Sequence, residues 1–187
     1  AAVDAQSGLR LAAATGYYWG WNSVEQGFRL VFAALEHDRA AAPTPAREGT
    51  LRALARLSEF RGRYEEALAF AQQALAAARQ LGEPRALAWA LNAVGSALAT
   101  SSRSEPALQA HEAALELARQ QGDGVLMFTL LNNIASCQHR AGQLDAAEPV
   151  QNPHHLFLVD HHAVGLDQDV VHDGVHLGDR LAPVLDV

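Results

Sequence analysis

The sequence predicts an all-α protein in which antiparallel helix pairs stack into a solenoid, followed by an irregular C-terminal tail. Three observations carry that expectation. Between Leu51 and Val150 the chain repeats itself under a shift of 40 residues: Arg63-Tyr64-Glu65-Glu66-Ala67-Leu68 falls on Arg103-Ser104-Glu105-Pro106-Ala107-Leu108, Ala74-Leu75 on Ala114-Leu115, Gly82 on Gly122 and Leu91-Asn92 on Leu131-Asn132. A second shift sets Gly142-Gln143-Leu144-Asp145-Ala146-Ala147 on Gly62-Arg63-Tyr64-Glu65-Glu66-Ala67, and a backward one brings Phe28, Ala34, Leu35 and Arg39 onto Leu68, Ala74, Leu75 and Arg79. A fixed period of this length, with the same small and large apolar positions, marks a stacked repeat. Within each period the apolar residues recur at three and four positions, as in Ala67, Leu68, Ala71, Ala74, Leu75 and Ala78, which places them on one face of a helix. Breaks fall where glycine, proline and short polar residues gather, at Gly82-Glu83-Pro84, Ser101-Ser102, Gly122-Asp123-Gly124 and Ala141-Gly142. Glycine there supplies the left-handed turn that ends a helix, and proline suits the first turn of the next.

The elements follow in order. A first pair is expected at 9–20 and 24–37. The cluster Tyr17-Tyr18-Trp19-Trp21, interrupted by Gly20, is read as a packed cap at its helix end, not as a ligand cage. The second pair spans 46–60 and 64–81; Glu65 and Glu66 in a first turn complement the helix dipole and make a poor acid/base dyad. A third pair spans 84–100 and 104–121, and a fourth begins at 125–140 and resumes from 144 onward. Cys137, among the small residues Ala135 and Ser136, is expected to be a buried and inert thiol, because no nearby basic pair lowers its pKa. Alanine at positions 67, 74, 107, 114 and 147 has a packing reason: helices that approach closely leave no room for a longer side chain.

The run Gly62-Arg63-Tyr64-Glu65-Glu66-Ala67-Leu68 with Ala74-Leu75 resembles the core of a tetratricopeptide repeat (TPR). Leu131-Asn132-Asn133-Ile134-Ala135 with Ala147-Glu148-Pro149-Val150 is similar to the longer-period version found in kinesin light chains and in many bacterial regulators. This resemblance covers residues 10–150 and departs from the pattern at Ser104 and Pro106. The stretch Leu11 to Leu35 also resembles the start of the repeat arm of bacterial signalling ATPases and ATPase-type transcriptional regulators. The likeness implies a right-handed TPR-like solenoid that binds a peptide or a partner domain on its concave side, which the first helix of each pair lines. Transferred onto this sequence, the groove positions are Arg52, Arg56 and Glu59 in one repeat, Trp89, Asn92 and Ser96 in the next, and Asn132, Ser136, His139 and Arg140 in the last. Asparagines one repeat apart offer donor and acceptor to successive peptide groups of an extended ligand, and Arg52, Arg56 and Arg140 favour its carboxylates. The other side of that reading is that Asn92 and Asn132 bond only within the scaffold.

Composition narrows the function. Every one of the 14 basic residues is arginine, against 21 acidic ones, for a net charge of -7. Scattered basic residues on an acidic chain argue against nucleic-acid binding, which needs a clustered cationic surface. One cysteine allows no intrachain disulfide and fits a reducing compartment. With no secretory signal or membrane-spanning run, a cytoplasmic location is expected. No phosphate-binding loop, nucleophile elbow or zinc-protease motif is present, so the chain is expected to be no enzyme and to carry no cofactor. Its opening on alanine suggests a segment of a longer regulator. Two other readings stay open: a self-association module, and the sensor arm of a signalling ATPase.

The last 37 residues differ in kind. Alanine occurs 36 times in residues 1–150 and twice in 151–187, where six of the nine histidines and six aspartates lie. The two expected domains are therefore the repeat array, 1–150, and a His/Asp/Val-rich tail, 151–187, that is poorly ordered or non-native; an out-of-frame reading of GC-rich DNA gives such a composition. His172 and His176 have the spacing of a helical metal pair, but Gly174 between them weakens any helix. No metal site is assigned.

Overall fold

The computed structural model describes residues 4–37 and 42–140, which lie in a unit spanning Ala1–Asp145. These residues form α1 (Ala5–Asn22), α2 (Val24–His37), α3 (Pro45–Phe60), α4 (Tyr64–Leu81), α5 (Pro84–Thr100), α6 (Ser104–Gln121) and α7 (Gly124–Arg140), with no strand among them. All seven coincide with the elements expected from the repeat, to within a residue except in α1. The helix expected from 144 and the expectations for the tail lie outside the described residues.

Caps account for the one larger difference. Asp4 accepts a hydrogen bond from the Gln6 amide at 3.3 Å, which starts α1 four residues before its apolar periodicity begins. Thr44 caps α3 in the same way, accepting from the Arg47 amide at 3.2 Å ahead of Pro45. Asp123 does so for α7, accepting from the Leu126 amide at 3.1 Å. Gly82 and Gly122 end α4 and α6 in the left-handed conformation, with φ of 68° and 64°. Each of the turns between α3 and α4 and between α5 and α6 also needs one such residue. Gly62 supplies it at φ 69°, but its counterpart one repeat on is Ser102, at φ 60°.

The odd-numbered helices pack on one another in sequence, α1 on α3, α3 on α5 and α5 on α7, while α2, α4 and α6 each bridge two of them. Comparable contact between successive even-numbered helices is absent among the described residues. An inner layer of close neighbours beneath an outer layer of separated ones curves the stack, with the odd-numbered helices on its concave side.

Small residues make the close approach possible. A Cβ on Gly16 of α1 would stand 2.5 Å from the Ala53 methyl of α3, and one on Gly27 would overlap Trp19 at 2.1 Å. Ala67, Ala74, Ala107 and Ala114 are fully buried, as their register requires. Around them pack Leu9, Leu54 and Leu57 in the first core cluster and Leu126 and Leu130 in the next, all fully buried.

Polar groups tie neighbouring repeats at fixed offsets. Thr50 Oγ1 donates to the Leu9 carbonyl at 2.9 Å, Asn133 Nδ2 to Asn92 Oδ1 at 2.9 Å, and Arg140 Nη1 to the Ala99 carbonyl at 2.9 Å, each across 41 positions. Arg61 binds Glu66 on α4 at 3.1 Å and Glu25 on α2 at 3.0 Å, with Ser58 also donating to Glu66.

Two stability predictions follow from these seams. Ala114→Leu is expected to cost about 1–3 kcal/mol through overpacking, read as a lower urea midpoint at unchanged slope. Ser102→Gly removes a side chain from a left-handed position and is expected to add roughly 0.5–1 kcal/mol, less than the full left-handed penalty because glycine loses more chain entropy. A fall in midpoint for Ser102→Gly would contradict the strain assigned to that turn.

Candidate partner-binding face

The positions expected to line a groove lie on α3 (Arg52, Arg56 and Glu59), α5 (Trp89, Asn92 and Ser96) and α7 (Asn132, Ser136, His139 and Arg140). The structure separates these residues by what each already holds. Arg52 Nε binds Glu48 Oε1 at 2.6 Å, and its guanidinium lies 5.7 Å from the Trp89 ring centroid. Glu48 is buried at 2% exposure, so Arg52 is first of all the counter-ion of an interior carboxylate. Burial raises the Glu48 pKa; the charge and hydrogen bond of Arg52 pull it back, and Glu83 pushes it up further. Arg140 donates to the last turn of α5 through the Ala99 carbonyl, which satisfies a helix-end acceptor. These two arginines therefore serve the scaffold.

Asn92 is buried at 3% exposure and accepts from Asn133, which closes it to a ligand. The neighbouring repeat answers it with Asn133 and not with its register counterpart Asn132. Equivalent positions on stacked helices project side by side; the side chain that reaches across is one residue further on. Asn132 itself is half-buried, and its amide makes no hydrogen bond to another described residue. Ser136 and His139 are exposed, and the Ser136 hydroxyl donates to the Asn132 carbonyl at 2.9 Å. Trp89 and Ser96 are half-buried.

The aromatic cluster of α1 departs from the expected packed cap. Only Trp19 turns inward, where Gly27 of α2 makes room for it. Tyr17, Tyr18 and Trp21 remain 47%, 44% and 46% exposed, because residues two apart on a helix point to different sides and just one of these directions faces α2. Tyr17 meets the Arg56 guanidinium at 5.8 Å, a contact between side chains 39 positions apart with no local signature in the sequence.

His111 was not among the sequence candidates. It is 1% exposed, and its ring lies where a Cβ on Gly95 would be, within 2.6–2.8 Å. Its Nδ1 has no hydrogen-bond partner, and burial, aided by the charge of Arg140, lowers its pKa from 6.5 to about 4. The glycine at 95 facing a histidine 16 positions on was the only available clue. Glu59 shifts the other way: burial raises it from 4.5 to about 7, although Arg56 opposes the shift. Burial also raises the Cys137 thiol, against the influence of Arg140, and the thiol is enclosed at 1% exposure. Asp123 lies below its ordinary value; its burial would raise it, but the Leu126 amide and Arg85 at 2.9 Å prevail.

Among the described residues no three His, Cys, Asp or Glu side chains gather as a metal site, and no helix is long and apolar enough to cross a membrane. His172 and His176 lie outside those residues.

A concave row of packed first helices carrying aromatic, amide and arginine side chains defines a helical-repeat array of the kind that presents an extended binding surface. Residues 47–120 match the family model of the tetratricopeptide repeat. It is similar to the nearly identical TPR-like repeats of a Podosopora anserina protein named as a kinesin light chain, at 16% identity and a TM-score of 0.63, over 74% of this chain and 69% of that one. A variant of the same repeats gives 15% and 0.65, over 75% and 70%. BtubC (BKLC) from P. vanneervenii gives 15% and 0.64, over 75% of this chain and 59% of its own length, so this chain spans less than two thirds of that protein. No curated protein matches the chain in sequence. At these identities the likeness shows the fold, an all-α TPR-like solenoid. Repeats of this class generally mediate protein–protein interaction.

The two displaced titrations oppose each other. His111 binds its proton more readily unfolded, so the stability it contributes is complete above pH 6.5 and is lost as pH falls towards 4. Glu59 holds its proton more tightly folded, so its contribution is complete below pH 4.5 and is lost as pH rises through 7. Thermal melts are expected to show His111→Phe reducing the acid-side decline in melting temperature, and Glu59→Gln gaining on the parent chain between pH 5 and pH 8. Parallel pH profiles for parent and variants would refute both assignments.

Proposed function

We propose that the array is an interaction module that acts by binding, without chemistry of its own, and takes an extended peptide or a partner domain along the face of α1, α3, α5 and α7. The reading is supported by Arg56, Ser96 and Asn132, on α3, α5 and α7, whose side chains make no hydrogen bond or ion pair to another described residue, and by the half-buried Trp89 beside Arg52, whereas Arg52, Asn92 and Arg140 are engaged within the scaffold. A setting within a larger cytoplasmic signalling or transcriptional regulator accords with the resemblance of residues 11–35 to the repeat arms of such proteins. The array is taken to bind protein and not nucleic acid: its described residues carry 12 arginines against 12 acidic residues, with no net positive field.

A second reading, self-association, has one observation in its favour. Val125, Phe128 and Leu131 on α7 are 52%, 44% and 50% exposed, more apolar surface than an outward helix face ordinarily leaves in water. Sedimentation velocity over a wide concentration range separates the two: a monomer throughout removes the second reading.

Peptides selected against the immobilised chain by phage display test the first. The double variant Trp89→Ala/Asn132→Ala is expected to weaken the selected peptides about tenfold, roughly 1.4 kcal/mol, with little change in melting temperature. Glu112→Ala on the outer layer is expected to leave their affinity unchanged. Peptides insensitive to the double variant but lost with Glu112→Ala would place binding on the other side and overturn the proposal.

A further inference from the structure

Each odd-numbered helix has a side on which it receives the helices that follow, and the register names that side. Glu48, Leu51 and Ala55 of α3 are 2%, 3% and 1% exposed. One repeat on, Ala88 and Gly95 of α5 are buried and Leu91 is half-buried. The next shift of 40 gives Phe128, Leu131 and Ala135 of α7, and all three are exposed, Phe128 at 44% and Leu131 at 50%. With Val125, at 52%, they form a stripe at three- and four-residue spacing along one side of the helix. Among the described residues α7 packs on α5 and α6, and the stripe is the stacking side that these two leave uncovered.

What covers the same side of α5 shows what this end of the array lacks. Ala88 shares a core cluster with Ala114, Leu115 and Ala118 of α6 and with Leu126 and Leu130 of α7. The positions in register with Ala114 and Leu115 one repeat on are His154 and His155, and Gln151 is in register with His111. The sequence past Val150 therefore does not repeat the alanine and leucine pattern that closes the α5 side. Phe128 also differs from Ala88: a helix stacked on α7 as α7 stacks on α5 would meet a ring where the seam leaves room for a methyl group. The side suits a helix that crosses at a wider separation than the repeat's own.

Its charge pattern names the occupant. From Gly124 to Gln138 α7 carries no charged side chain, and His139 and Arg140 stand in its last turn. In a two-fold contact each copy presents the same patch, so a charged patch repels itself and an uncharged apolar one does not. We propose that this side of α7 docks on the same side of a second copy of the chain, the two helices antiparallel about a two-fold axis between residues 128 and 131. A parallel pair would set Arg140 against Arg140 and the two helix C-termini side by side, whereas the antiparallel pair opposes the helix dipoles. Phe128 of each copy then falls against Leu131 of the other, and Val125 opposite Ala135, where the small side chain leaves room for it. The inference rests on the self-association reading and assigns its site and symmetry. One helix per copy makes a small interface, with a dissociation constant expected on the order of tens of micromolar.

Sedimentation equilibrium of the full chain is the test. The parent is expected to pass from monomer to dimer over a hundredfold range of concentration around that constant, with little dependence on salt because no charges meet. Phe128→Glu and Leu131→Arg are each expected to weaken the dimer at least about tenfold, since each sets an unpaired charge against an apolar side chain. Their melting temperatures, measured below the dissociation constant, are expected to stay near the parent's, because both positions are about half exposed in the monomer. An equimolar mixture of the two variants is expected to regain dimer: the introduced carboxylate and guanidinium meet across the axis, and the other contact remains Leu131 with Phe128. A monomer throughout overturns both the proposal and the self-association reading. A dimer that neither variant weakens overturns the proposal and leaves that reading in place. A monomeric parent whose melting temperature both variants lower overturns the proposal by showing the side covered within one chain. Failure of the mixture to regain dimer overturns the antiparallel two-fold pairing.

Discussion

Helices that approach as closely as α1 and α3 do at Gly16 and Ala53 admit no further methyl group between them, and this steric limit sets the rest of the structure. Close stacking of the odd-numbered helices makes one layer of the solenoid shorter than the other, and the curvature that follows gives the protein a concave face. It also decides composition, since positions 67, 74, 107 and 114 tolerate only alanine-sized side chains at zero exposure. With so many small residues in the seams, the larger apolar contribution comes from a few leucines, such as Leu54, Leu57, Leu126 and Leu130, each worth about 2 kcal/mol or more when buried.

Close approach also brings backbone and polar side chains of successive repeats within bonding range, and the structure uses that range repeatedly. Bonds across 41 positions join α1 to α3 and α5 to α7, and the Arg85–Asp123 and Arg103–Glu65 pairs join repeats across 38. Such bonds withdraw polar residues from the list of ligand contacts. Arg52, Asn92 and Arg140 have the right chemistry for recognition, but each stabilises an interior carboxylate, a buried amide or a helix end.

The buried ionisable groups show a different consequence of packing. His111 occupies space that Gly95 leaves open, and burial, with the charge of Arg140, disfavours its protonated form. An imidazole in that place fills volume as an aromatic ring would, at the expense of acid stability. Glu59 is the opposite case, a carboxyl whose charged form burial disfavours although Arg56 opposes the shift. Neither behaviour is a property of the residue type; both arise from how closely the neighbouring helices lie.

The sequence by itself determined the repeat, its 40-residue period, six of the seven described helices to within a residue and the alanine seams, because these depend on local spacing and on turn chemistry repeated in register. It also determined the left-handed turns at Gly82 and Gly122, but not the one at Gly62. It did not determine which side chains meet across the stack. The register aligns Asn92 with Asn132, but contact fell to Asn133, since homologous positions run parallel and do not converge. Nor did it separate Trp19, which packs against α2, from Tyr17 and Trp21, which stay about half exposed, because the direction of each ring depends on where α2 and α3 lie. Tertiary structure alone decided those partnerships: contacts between residues about 40 positions apart are set by helix placement, and local sequence carries no record of it.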